Sequence, residues 1–129
     1  MIVDAWRVPE IELHRRALAG RADPLAALTG WEAFDNAEME RIAAERGRLM
    51  AEVKATAEVV GEHRQTIRLF PAQAKALNKE IAAIYERHDE ALRQIVNLNS
   101  TEEAVQGRLA IWVALRAEIG AAQADGGAR

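Results

Sequence analysis

The sequence predicts an all-α protein, an antiparallel helical hairpin or bundle with a coiled-coil-like seam. Three observations carry this expectation. Stepping alternately three and four residues from Met39 gives Met39, Ile42, Arg46, Leu49, Val53, Thr56, Val60, His63, Ile67, Phe70, Ala74, Leu77, Ile81, Ile84, His88, Ala91, Ile95 and Leu98, fourteen of eighteen apolar in a chain that is 50% apolar. Helices that pack along a seam repeat in this way. No short alternating run of β-branched or aromatic residues lies between turn residues, so strand signals are missing. Helix punctuation, in contrast, recurs along the chain.

Taken in order, residues 1–8 read as extended, because Pro9 disfavours the helical region at Val8. Pro9 suits a first helical position, and Gly20 offers a stop after PEIELHRRALA. Asp23-Pro24 opens a second short helix that Gly30 closes. Trp31 and Phe34 follow and are expected to plug these short helices, within residues 1–35, onto the main body. Asp35 and Glu38 form a capping box for the long helical pair of residues 36–98. Gly47 and Gly61 weaken its first helix by up to about 1 kcal/mol each relative to alanine. A second capping box, Ser100 with Glu103, opens a C-terminal helix over residues 100–122, and residues 123–129 form a flexible tail. The whole, residues 1–129, is expected as a single helical domain.

Pro71 offers two architectures. Phe70 before it is disfavoured in the helical region, which makes Leu69–Pro71 the tight turn of a hairpin. The column, however, passes through Pro71 in phase, as a single kinked helix in an oligomeric coiled coil would have it. Ala43, Met50, Ala57, Tyr85 and Leu92, each one residue beyond a seam position, widen the apolar stripe toward a bundle face. The flanks also lack the opposite-charge pattern of a parallel zipper. The hairpin is therefore the expected form.

Composition narrows the function classes. The chain has 129 residues, a net charge of -3 and 29% charged residues. Acids and bases alternate rather than form blocks, which argues against an electrostatic grip on nucleic acid or anionic lipid. With no cysteine, disulfides, thiolate metal sites and cysteine nucleophiles are excluded, and a reducing compartment, cytoplasmic or virion, is expected. The segment MIVDAWRVPE has no basic stretch leading into an apolar core, so no secretory signal is expected. The longest apolar run, Leu109–Leu115, is too short to span a membrane.

The residues that attract chemical attention have structural explanations. His63 and His88 fall on the seam, where a di-metal bundle would need carboxylates three residues earlier; Val60 and Tyr85 stand there instead. Arg46 interrupts the same seam and lays its stem along an apolar face or meets a carboxylate of another chain. Ser100 is explained as a cap and has no GxSxG setting. Glycines form no phosphate-binding pattern. His14, Arg15, Arg16 and Arg21 make a basic patch, but Glu10, Glu12 and Asp23 lie among them and no aromatics interleave. Trp112 is core or a partner contact, since tryptophan is enriched in binding hot spots. Trp112, Phe70, Arg46, His63 and His88 are thus the candidate protein-contact residues; no catalytic residue, cofactor, metal or small-molecule substrate is expected.

The segments LHRRALAGRADPLAAL and ALNKEIAAIYERHDEALRQ, less than a third of the chain, resemble flagellar export chaperones. The resemblance implies a small cytoplasmic helical protein that binds a partner's C-terminal helix. The Trp31–Phe34 segment and the capped helix after Ser100 depart from that pattern. The expected function is non-enzymatic: a structural or adaptor subunit acting through helix faces on a protein partner or as a homo-oligomer, within an assembly such as a phage particle or secretion-type complex. The export chaperone is the alternative, and a weak DNA-associated protein is a further one.

Overall fold

Asp23 starts the longest stretch of order in the chain's first half. Its Oδ1 accepts a hydrogen bond from the Ala26 N–H (3.1 Å), its carbonyl accepts from the Ala27 N–H (3.2 Å), and Pro24 supplies a fixed first helical residue. In the computed structural model, which describes residues 8–127, helix α1 covers Val8–Ala19, α2 Pro24–Leu69 and α3 Ala74–Gly127. A single 3₁₀ turn, Pro71–Gln73, joins α2 to α3, and no strand occurs among the described residues. The two long helices pack against each other as an all-α hairpin.

The turn follows from Phe70 and Pro71. Phe70 leaves the helical region (φ -132°, ψ 77°), its N–H still donates to the Thr66 carbonyl (2.7 Å), and its carbonyl accepts from Gln73 (2.9 Å). Pro71 has no N–H to continue the ladder. The four residues from Phe70 to Gln73 fill one interval of the 3-4 repeat, so Ile67 and Ala74 both return to the seam. That is how a hairpin preserves the phase that a kinked rod would also show. Of the eighteen column positions, Phe70 at the tip is the only exposed one; the rest are buried or half-buried.

Several expected boundaries are absent. Gly30 does not end a helix: no described glycine has a positive φ, and the neighbours Leu28 and Trp31 pack into the core, which holds the backbone helical through the glycine. Asp35 is accordingly a mid-helix residue and not a cap. Asn97–Ser100 is no break either. Thr101 Oγ1 bonds back to the Asn97 carbonyl (3.0 Å) and Asn99 accepts from Arg46 Nη1 (2.8 Å), so Asn99, one of the side chains that suggested a boundary, is engaged across the seam without leaving the helix. Residues 123–127, expected in a flexible tail, extend α3, and Val8 is already helical. The extended reading of residues 1–7 and the end of the tail at 128–129 lie outside the described residues.

Contacts divide the chain into two compact units: residues 1–40 with 102–129, and residues 41–101. In unit 1, α1, the start of α2 and the latter part of α3 enclose Leu18, Leu28, Ile111, Trp112 and Leu115, with Ile11, Ala27, Trp31, Leu109 and Ile119 packed around them. In unit 2, α2 and α3 alone share a seam of two clusters, Leu49–Ala91–Ile95 with Val53 and Leu98, and Val60–Ile81–Ile84 with Ile67. Among the described residues no helix is long and apolar enough to cross a membrane.

These assignments separate two caps by experiment. Asp23→Ala should lower the unfolding free energy in urea by about 1 kcal/mol. Ser100→Ala, at a helix interior, should be neutral or stabilise by up to about 0.5 kcal/mol; a loss equal to that of Asp23→Ala would restore the break at Ser100.

Candidate functional site

Burying a carboxylate is costly unless every oxygen finds a donor, and Asp35, 2% exposed, meets that condition in unit 1. Arg108 Nη2 and Nε donate to Asp35 Oδ1 (2.9 and 3.2 Å), and Trp112 Nε1 donates to Oδ2 (2.7 Å). The Asp35 carboxylate in turn raises the pKa of Arg108. The Trp112 ring lies 5.0 Å from Trp31 and 4.6 Å from His14 between centroids, the latter pair edge-on. Arg116 bridges to Glu32 (2.9 Å) and to Thr29. Both Asp35 oxygens accept hydrogen bonds from α3, so the group ties α2 to α3.

Two arginines of the basic patch, Arg15 and Arg16, face carboxylates. Arg15 donates to Glu118 on α3 (2.8 Å) and to Glu12, and Arg16 approaches Glu12 at 3.5 Å. Hydrogen bonds from Arg15 hold the Glu118 carboxyl below the usual carboxylate range. Among the described residues no three His, Asp or Glu side chains converge as metal ligands would.

Unit 2 presents a different surface. On α2, Arg46, Met50, Lys54, Ala57, Gly61, Arg64 and Arg68 recur at steps of three and four and share one face. On α3, Tyr85, Asp89, Leu92 and Val96 do the same. A cleft of about 200 Å³, lined among others by Ala57, Gly61, Arg64, Tyr85 and His88, places both faces on one side of the helix pair, side A. Met50, Leu92 and Val96 are 53%, 40% and 62% exposed there. Arg64 donates to the Tyr85 hydroxyl (2.5 Å) with its guanidinium 5.8 Å from the ring centroid. Four cations and a single carboxylate, Asp89, thus rim an apolar strip. The opposite side, side B, carries Arg41, Glu45, Arg48, Glu52, Ala55, Val59 and Glu62 on α2, and Arg87 and Gln94 on α3. Clefts lined by Glu52, Ala55, Val59 and Arg87, and by Arg41, Glu45 and Gln94, mark this side. Arg48 is held there by Glu45 (2.5 Å) and Glu52 (3.6 Å).

The five residues singled out from the sequence are not brought together. Trp112 is 4% exposed in the core of unit 1. Phe70 is 57% exposed at the turn. Arg46 reaches Asn99 across the seam. His63 Nε2 meets Glu80 of α3 at 2.9 Å. His88 lines the side A cleft, its ring near Tyr85 and its buried Nδ1 without a hydrogen-bond partner among the described residues. Trp31 packs beside the core, whereas Phe34, expected to plug the bundle beside it, is 71% exposed. Because α2 runs unbroken from Pro24, Phe34 sits one residue from the inward-facing Asp35 and turns outward. Sequence reading missed Asp35, Arg108 and the basic character of side A. The 3-4 spacing from Arg46 to Arg68 was the available signal for the last. No family model, curated protein or solved structure matches the chain.

Two outcomes follow. Asp35→Ala strands Arg108 and the Trp112 N–H and should lower stability by about 3–5 kcal/mol in urea unfolding, while Asp35→Leu with Arg108→Met and Trp112→Phe should recover most of it. The Glu118 contribution, with a folded pKa below the unfolded one, is present above the ordinary carboxylate value of about 4.3 and is lost as pH falls through the folded value. Half-exposed, it is small. Glu118→Gln should therefore be slightly less stable than wild type near neutral pH, with the gap closing as pH falls below the ordinary carboxylate range, read from urea midpoints.

Proposed function

We propose that the chain is a non-enzymatic structural or adaptor subunit, working through helix-face contacts with a protein partner or further copies of itself in a larger assembly, of the kind found in phage particles or secretion complexes. The observation that carries this reading is side A of unit 2. Two helices bury one stripe each, and here Met50, Leu92 and Val96 remain in water together beside the cleft at Ala57 and Gly61. Contiguous apolar strips rimmed by polar groups favour interaction with another surface. The chemistry of the remaining ionisable groups agrees with a contact role. The buried carboxylate accepts from Arg108 and Trp112, and Arg15 of α1 is paired with Glu118 of α3.

Size-exclusion chromatography with light scattering, at micromolar concentration, should give a mass above the 14.2 kDa of one chain, or a stable complex with a second protein. Met50→Asp with Val96→Asp should abolish that association and leave the far-UV circular dichroism unchanged, because both side chains already face water. A monodisperse monomer that enters no complex ends this reading.

A further inference from the structure

The two sides of unit 2 carry groups of opposite charge at matching heights along the helices. Val59, 37% exposed on side B, lies at the height of the side A cleft, because residue 59 stands between Ala57 and Gly61 on the opposite face of the same helix. Glu62 on side B is two residues from Arg64 on side A, and Arg87 on side B is two residues from Asp89 on side A. Among the described residues Arg64, Glu62 and Arg87 have no oppositely charged partner; Arg64 donates to a neutral hydroxyl, and the neighbour of Asp89 is His88 at 3.6 Å. Displacing one copy perpendicular to the plane of the helix pair would bring Val59 to the level of Ala57 and Gly61 of the next copy, Glu62 to that of Arg64, and Arg87 to that of Asp89.

We propose that unit 2 binds a second copy of this chain by stacking side B of one copy on side A of the next, α2 along α2 and α3 along α3. The inference rests on the docking reading and adds its occupant. Two helix faces, each about 40 Å long and about 10 Å wide, cover on the order of 800 Å² per partner, the size of a standard specific interface. Pairing side A with side A would instead bring two sets of four cations together. Because the two surfaces differ, the contact is head-to-tail and does not close, so the stack grows with concentration. Charge pairs at its rim make it sensitive to salt.

Sedimentation velocity on the full chain tests the arrangement. Arg87→Asp and Asp89→Arg each place like charges across the contact and should weaken association about tenfold. The double variant, and an equimolar mixture of the two single variants, should both recover it. Gly61→Leu fills the cleft and should abolish association without lowering the thermal midpoint of the monomer, since a Cβ at Gly61 meets nothing within 4 Å and leucine is the better helix former. If the wild type associates but neither the double variant nor the mixture exceeds the single variants, the stack is wrong and the docking reading stands. A wild type that stays monomeric yet complexes with a different protein overturns the stack in the same way. One that does neither overturns both.

Discussion

A helix pair can bury one stripe on each helix and no more, and that constraint governs unit 2. Its seam is filled by Leu49, Val60, Ile81, Ile84, Ala91 and Ile95, with Val53, Ile67 and Leu98 closing over them. The burial of each Leu, Val or Ile side chain among them contributes about 1.5–3 kcal/mol against the entropy of ordering two long segments. The faces to either side of the seam receive no cover from within the unit. Charge is distributed unequally between them: the cations of side A stand beside exposed apolar groups, while side B satisfies much of its charge within its own helix, through Glu45, Arg48 and Glu52.

Unit 1 solves the same problem with a third helix and a polar lock. Leu18 and Ile11 of α1 close over the stripe that Leu28, Ile111, Trp112 and Leu115 form. Asp35 adds direction to this packing. Apolar side chains slide past one another at small cost, whereas a bidentate carboxylate with a third bond from Trp112 is satisfied in one axial register only. A buried polar group of this kind gives up some stability relative to an apolar pair and selects one alignment among several; this is the role the geometry of Asp35, Arg108 and Trp112 supports.

The fold was legible where periodicity carried it. The column from Met39 to Leu98 located the seam, and Phe70-Pro71 located the turn, because both signals arise from the backbone and hydrophobic rules that act locally. Helix ends were less legible. Gly30, Asp35 and Ser100 have the chemistry of stops and caps, yet tertiary packing at Leu28, Trp31, Val105 and Ile111 outweighs preferences worth about 1 kcal/mol. The candidate site was read in part. Met50, Ala57, Tyr85 and Leu92 were visible as a widened stripe, but the cations alongside them acquire meaning only once α2 and α3 are aligned and Arg64 is seen beside Tyr85. Asp35 could not be recognised before its partner seventy-three residues away was known.

The order of the chain through its two units has a consequence for how it folds. Unit 2 is one uninterrupted segment closed by a four-residue turn, so its contacts propagate outward from Phe70–Gln73 with little loop to close at any step. Unit 1 is assembled from segments on either side of it, with residues 41–101 between them. On a ribosome the first segment, including Asp35 and Trp31, emerges well before Arg108 and Trp112 exist to receive it. Zipping of the hairpin would shorten the effective loop that separates these groups, so loop-closure entropy favours unit 1 forming after unit 2.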